Sequence, residues 1–438
     1  QEPCDLANLL GGCMVNLNNW DWEIGKRVVA DIGDWKSRFE YMEEPYTSPD
    51  GEKIAAIVKN EEAEFCVCEN GTTWENAFDK VWYLRFGPDN RLTALVSDAG
   101  EWTVAVDGKT WENRFEYVWD TRFGSDGNKI IVAAKKEMKY LAVCNDTPWE
   151  TGYFNMNNLA TSLDGKSIAA VVQTEALSEG DIFKFQEGIF TVAVDGKTWD
   201  TRFVNVWEMS FSPDHQRVAA EVRTSLYDYT IAVDGVTWDQ SYPSVWKPLF
   251  NPIDSSVTAP VKLAGAWTLA QDGKRIWDRG FVQLWRHMYS PDGKQVAAIV
   301  CPTFGRWTLA VNGNPWATTF GDLVTDAVFS PDGNQAACIG KEKEKWIVCV
   351  DDQSWQDTFD MAWKPVFSPD GNHVAAKVEK NNRYTLYIDG RPFKEEFVQV
   401  WDPVFSPDSK KLMLRAIEGE ANQEKYVRQV LPLTDIIG

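Results

Sequence analysis

Apolar residues alternate with polar ones over runs of roughly four to seven residues, and no stretch sustains the 3.6-residue stripe of an amphipathic helix. The alternation predicts strands, as in Val374 to Val378 and Tyr384 to Ile388. Two kinds of polar punctuation separate them. The Ser368-Pro369-Asp370-Gly371 type combines a proline that presets φ, an Asp that accepts a local backbone bond and a Gly that tolerates positive φ. The Asp107-Gly108 and Asp195-Gly196 type is the signal of a two-residue hairpin between antiparallel strands.

These features recur as a unit of roughly 38 residues, marked by Asp50, Asp89, Asp126, Asp164, Asp214, Asp254, Asp292, Asp332, Asp370 and Asp408. A sheet this small cannot bury both of its faces, so it must stack against its neighbours. The fold expected is all-β, a β-propeller of about ten blades, with two smaller propellers or a split ring as the alternatives. Lys26 to Tyr46 lacks a Ser-Pro-Asp-Gly turn and the last unit, from Phe405, lacks the usual ending. The two termini are therefore expected to complete one sheet and lock the ring, which leaves no open edge. Arg27 to Ala30 and Tyr426 to Leu433 both read as strands for that blade, one of them an extra edge strand. The domain layout is a tail over 1–22 and a propeller over 23–438. The spacing from Asp164 to Asp214 is about a dozen residues too long, which predicts a surface loop inserted at 173–189.

Nearly all of the 22 tryptophans fall into three slots of the unit. The first holds Trp35, Trp74, Trp111, Trp149, Trp199, Trp238, Trp277, Trp316 and Trp355, with Phe393 in the tenth unit. The second, in a Phe-x-x-Val-Trp pattern, holds Trp82, Trp119, Trp207, Trp246, Trp285, Trp363 and Trp401; the third holds Trp102, Trp267, Trp307 and Trp346. Burying one indole removes on the order of 200 Å² from water, about 5 kcal/mol before entropy, so wedges between blades are preferred to a ligand platform. Departures from the pattern mark candidate partner contacts. These are Leu9, Leu10 and Met14 in the tail, Ile182, Phe183 and Phe185 in the inserted loop, and the 320–326 region, where Val324 stands in a Trp slot.

Composition sharpens the picture. Lys and Arg number 44 against 65 Asp and Glu, a net charge of −21, which repels nucleic acid and anionic lipid and suits a basic partner. No run of 18 apolar residues is present, so the chain is not expected to span a membrane. Because the sequence starts at Gln1, a processed N-terminus and a periplasmic location stay open beside the cytoplasmic one. The eight cysteines follow the repeat, Cys68, Cys338 and Cys349 standing where other units have Ala, and read as reduced buried residues. The chain has three histidines and no nucleophile elbow, P-loop, zincin or dinucleotide motif, and Cys66-Val67-Cys68 has the wrong spacing for common metal sites. No catalytic residue, metal or cofactor is expected, and the chain is read as a non-enzyme.

The segments Tyr289 to Ala298 and Phe367 to Ala376 resemble the WD40-like repeat of the TolB-type family, without that family's second domain. Gly108-Lys109-Thr110-Trp111 is similar to the end of an Asp-box, although Asp107 is one place out of register, which puts sialidase chemistry in doubt. Together with Phe-x-x-Val-Trp in most units, the whole chain resembles the tryptophan-rich TmcD family, accessory subunits of the transmembrane redox complex of sulfate-reducing bacteria. That resemblance implies a cofactor-free scaffold for electron transfer in sulfate respiration. Its implied partners are a tetrahaem cytochrome c, a membrane cytochrome b and an iron-sulfur subunit, with attachment to the inner membrane through them. The alternative is a secreted or periplasmic propeller that binds or cleaves glycans.

Overall fold

A computed structural model describes residues 17–178 and 180–437. Strands dominate, folded into ten antiparallel sheets of four or five strands each. Blade 2 shows the plan: Lys80–Phe86 innermost, then Leu92–Asp98, Glu101–Val106 and the short outer strand Lys109–Thr110. The Ser-Pro-Asp-Gly and Asp-Gly turns meet at one end of each sheet. There the hairpin residue's side chain accepts from the first backbone N–H of the second strand, as Asp107 Oδ1 does from Leu92 (2.8 Å) and Asp389 Oδ1 from Val374 (2.9 Å). The side chain thereby ties the outer hairpin to the inner turn, a function beyond favouring positive φ.

Each pair of neighbouring blades shares a buried apolar cluster. Val67 and Val81 belong to the cluster between blades 1 and 2, Ile131 and Met156 to that between 3 and 4, and Ile339 and Val378 to that between 8 and 9. One such cluster joins Ile417 and Tyr426 of blade 10 to Ile54 and Val58 of blade 1, so the ring is closed and the fold is a ten-bladed β-propeller. Neither two smaller propellers nor a split ring describes it.

Closure uses both termini. Blade 10 is built from Gln399–Val400 and Val404–Phe405, Lys411–Glu418, Lys425–Pro432 and, outermost, Gly25–Asp31 from the N-terminal side. The two candidate strands therefore do not compete: 425–432 is the third strand and 25–31 the fourth. The N-terminal strand pairs antiparallel with the third strand, for example Arg27 with Arg428, with a bulge at Val29. After it comes the short helix Ile32–Arg38, capped by Asp31 Oδ1 on the Asp34 N–H (3.0 Å), which carries Trp35 fully buried into the seam. Leu17, Trp20 and Trp22 pack on Val404, Met413 and Val430, so the described end of the tail lies on blade 10. Leu9, Leu10 and Met14 lie outside the described residues.

Candidate functional site

The tryptophans divide by slot. First-slot indoles meet the next blade: a Cβ on Gly108 would lie 3.3 Å from Trp74, on Gly196 3.4 Å from Trp149, and on Gly313 3.2 Å from Trp277. Trp35 and Trp277 are fully buried and the other seven are half-buried. Second-slot indoles stack on the third-slot aromatic of their own blade, as Trp246 on Trp267 (5.2 Å, 9°) and Trp285 on Trp307 (4.5 Å). Some of these rings also reach the neighbouring blade: Trp119, Trp285 and Trp401 pack on the clusters shared with it. Trp82 and Trp246 keep 44% and 43% of their surface exposed, so the second slot is less wedge-like than burial arithmetic suggests.

Two departures are re-registered by the structure. Val324 pairs with Gly340 as Val81 pairs with Val96, and is buried in the cluster between blades 7 and 8. It is a core valine and not a surface contact. One extra residue after Phe320 shifts the period-two pattern, so Thr325 takes the Trp slot; Asp326 beyond it has the positive φ that Tyr83 has after Trp82. In blade 4, Tyr153 bridges Tyr140 as Phe78 bridges Phe65, so Asn157 and not a residue counted from Phe154 holds that slot.

The inserted loop carries a short helix, Ile182–Glu187. Phe185 packs edge-on against Phe190 (6.4 Å) and fixes it to blade 4, while Ile182 and Phe183 point outward and Phe183 is 80% exposed. The signal missed in the sequence is what its neighbours do. Strands alternate in direction and all blades stand the same way up, so every turn between second and third strands lies on one face of the ring. On that face Met138 of blade 3 is 71% exposed, Tyr227 of blade 5 77% and Phe304 of blade 7 93%, with Leu226 and Leu263 also exposed. Blades 3 to 7 thus present an apolar arc. The equivalent turns elsewhere are polar: Glu61 and Glu62 in blade 1, Asp98 in blade 2, Lys343 and Glu344 in blade 8, Asn381 and Asn382 in blade 9, and Glu420 in blade 10. Met138 occupies a left-handed position (φ 60°), where blade 9 uses Asn382 and blade 7 Gly305. A methionine held there and left in solvent has no folding rationale.

Two cavities open among the inner strands. One, of about 740 Å³, spans blades 3 to 6, and each charged or titratable group in its lining has a partner: Lys247 with Glu208 (3.4 Å), His215 Nδ1 with Asp164 (3.3 Å) and Arg122 with Asp120 (2.9 Å). Burial raises the Asp164 pKa, but hydrogen bonds from Ser162 and Lys166 and the charge of His215 outweigh it and hold the carboxyl well below its usual value. The other, of about 580 Å³, lies where blades 9 and 10 meet blades 1 and 2. Among the described residues no group of His, Cys, Asp and Glu could hold a metal ion, and no helix is long and apolar enough to cross a membrane. Cys66 and Cys68 share one face and one apolar cluster.

No protein-family model and no curated protein matches the chain. Among solved structures, one titled "Crystal structure of the eukaryotic initiation factor" is similar at 11% identity and a TM-score of 0.46, over 82% of this chain and 96% of that one. "Structure of Dos1 propeller" is similar at 11% identity and a TM-score of 0.38, over 94% of this chain and 95% of that one. Both likenesses concern the fold alone.

Proposed function

We propose that this propeller is a non-catalytic scaffold that docks a protein partner through the apolar arc of blades 3 to 7. The observation that carries this reading is the confinement of exposed large apolar side chains at the turns between second and third strands to five consecutive blades, opposite polar turns on the other five. Aromatic and Met tips on a rigid ring suit the centre of an interface, where such residues are enriched. The net charge of −21 favours a partner with a basic rim.

The partner class proposed is a subunit of a membrane-associated electron-transfer complex of sulfate respiration: a tetrahaem cytochrome c, a membrane cytochrome b or an iron-sulfur subunit. The sequence resemblance supports that choice. Attachment would then be peripheral, through partners, on the cytoplasmic side of the inner membrane. Glycan binding is less well supported, because the two most exposed indoles, Trp82 and Trp246, stand on blades 2 and 6 and form no continuous row.

Native membranes solubilised gently and fractionated on a tag at the C-terminus test the reading. Recovery of haem-bearing and iron-sulfur subunits, identified by mass spectrometry, is the expected result. Recovery of a lone chain from membranes that contain those subunits would refute it.

A further inference from the structure

The cavity at the ring seam differs from the rest of this acidic molecule. Its lining brings Arg85, Lys377 and Arg415 together with the rings of Tyr46, Trp363 and Tyr384. Two carboxylates, Glu44 and Asp402, share the lining, so cations are in excess. Lys377 Nζ lies 3.9 Å from Asp402 Oδ1 and 4.2 Å from the centre of the Trp363 ring; Glu44 accepts from Gln399 Nε2 (3.0 Å). Arg85 lies between two rings, its guanidinium 4.7 Å from Tyr46 and 4.5 Å from Tyr83.

The residue type at these positions is unexpected from the repeat. Lys377 and Arg415 hold the place on the second strand that Ile57, Leu95, Ile299 and Ile339 fill in blades 1, 2, 7 and 8. Arg415 has a structural use: Nη1 donates to the Ser48 carbonyl (2.9 Å) and Nη2 to the Asp402 carbonyl (3.1 Å). Its Nε does not share in it. Arg415 Nε and Arg85 Nε are both buried without an acceptor, and both side chains line this one cavity. A buried N–H left without an acceptor loses its hydration with nothing in return, the more so on a charged group, so two at one cavity point to an acceptor that belongs there.

We propose that the seam cavity binds a small organic oxyanion, a carboxylate or phosphate ester carried on a planar apolar body. Arg85, Lys377 and Arg415 Nε take the oxyanion as charge-assisted donors, and Trp363, Tyr384 and Tyr46 pack on the body. The volume lies in the range of pockets that enclose such ligands. Bound there, the ligand touches four blades on both sides of the closure and ties them together.

Titration calorimetry of the full chain with phenyl phosphate, benzoate and inorganic phosphate tests this. Phenyl phosphate and benzoate are expected to saturate in the millimolar range or below, inorganic phosphate at least about tenfold more weakly, and the stronger aromatic anion names the head group. Arg85→Gln and Lys377→Ile each lower the affinity by about tenfold or more. Lys377→Ile installs the residue that blades 1, 7 and 8 already carry there, so its melting curve should match the wild type and separate lost binding from lost folding. Absence of saturable heat with both aromatic anions, or equal affinity in the folded variants, would overturn the proposal.

Discussion

Gly108 in the outer hairpin of blade 2 sits directly on the indole of Trp74 in blade 1, so close that a Cβ there would stand 3.3 Å from Trp74 Cγ. The same contact recurs between Gly196 and Trp149, Gly273 and Trp238, Gly313 and Trp277, and Gly390 and Trp355. One Asp-Gly pair thus serves two purposes: it turns its own hairpin and gives the preceding blade a flat seat for its tryptophan.

Substitutions at this contact should follow slot and burial. Trp277→Ala, at a fully buried ring, is expected to cost about 4 kcal/mol, and half-buried Trp238→Ala about 2 to 3 kcal/mol. Trp246→Ala, at an exposed second-slot ring, should cost under about 2 kcal/mol. Gly108→Ala strains a φ of +80° and crowds the indole, for a loss of about 1 to 2 kcal/mol. Urea denaturation followed by far-ultraviolet circular dichroism reads all four, and equal midpoints for Trp277→Ala and Trp246→Ala would contradict the division of roles.

Ring closure rests on a polar clamp of three side chains, where other seams use a single contact of this kind, as Arg91 Nη2 does to the Gly127 carbonyl and Gln295 Nε2 to the Gly333 carbonyl (2.7 Å each). Arg428 Nε donates to the Asp50 carbonyl (2.7 Å) and pairs with Glu52 (3.1 Å), while Tyr426 Oη donates to the Gly51 carbonyl (3.0 Å). Arg415, on the neighbouring strand, grips Ser48. All three side chains from blade 10 hold the Ser-Pro-Asp-Gly turn of blade 1. Arg428→Ala leaves buried acceptors unpaired and should lower stability by about 3 kcal/mol, seen as a shifted denaturation midpoint. A midpoint like that of Arg122→Ala, a change at an exposed ion pair, would show the clamp to be dispensable.

Glu221 makes the stability depend on pH. Burial pushes its carboxyl up to about 8, with the charge of Glu208 adding to the effect. The folded state holds this proton more tightly than the unfolded state, so the stabilisation is fully present below about pH 4.5 and is lost as the pH rises through about 8. His287 works in the opposite direction: burial lowers its pKa to about 4, so its contribution is present above about pH 6.5 and lost as the pH falls through 4. Glu221→Gln should therefore gain stability relative to wild type between pH 5 and 9, by about 2 to 3 kcal/mol at the upper end. Denaturation midpoints for the two proteins that stay parallel across that range would rule this out.

The fold was legible because its signals are local and repeated. Ser-Pro-Asp-Gly, Asp-Gly and the alternation at Val374 to Val378 each specify a turn or strand within a few residues, and ten copies leave little room for another architecture. Register was less legible. A single extra residue after Phe320 moved Val324 from the Trp slot into the core, because a period of two turns an offset of one into the opposite face. The candidate surfaces were mostly hidden, for a different reason. Phe304, Tyr227 and Met138 are far apart in sequence and meet on one face only once the ring is closed. Arg85 and Arg415 likewise come from opposite ends of the chain and share a cavity only across the seam.

The apolar arc is the proposed docking face. The direct measurement is pull-down of solubilised native membranes by the triple variant Phe183→Ser, Tyr227→Ser, Phe304→Ser and by a control altered on the opposite half of the same face, Lys343→Ser, Asn381→Ser. All five sites are solvent-exposed, so both proteins should keep the wild-type melting curve. The prediction is that the triple variant loses the haem-bearing and iron-sulfur subunits while the control retains them. Full recovery of those subunits by the folded triple variant would contradict the claim.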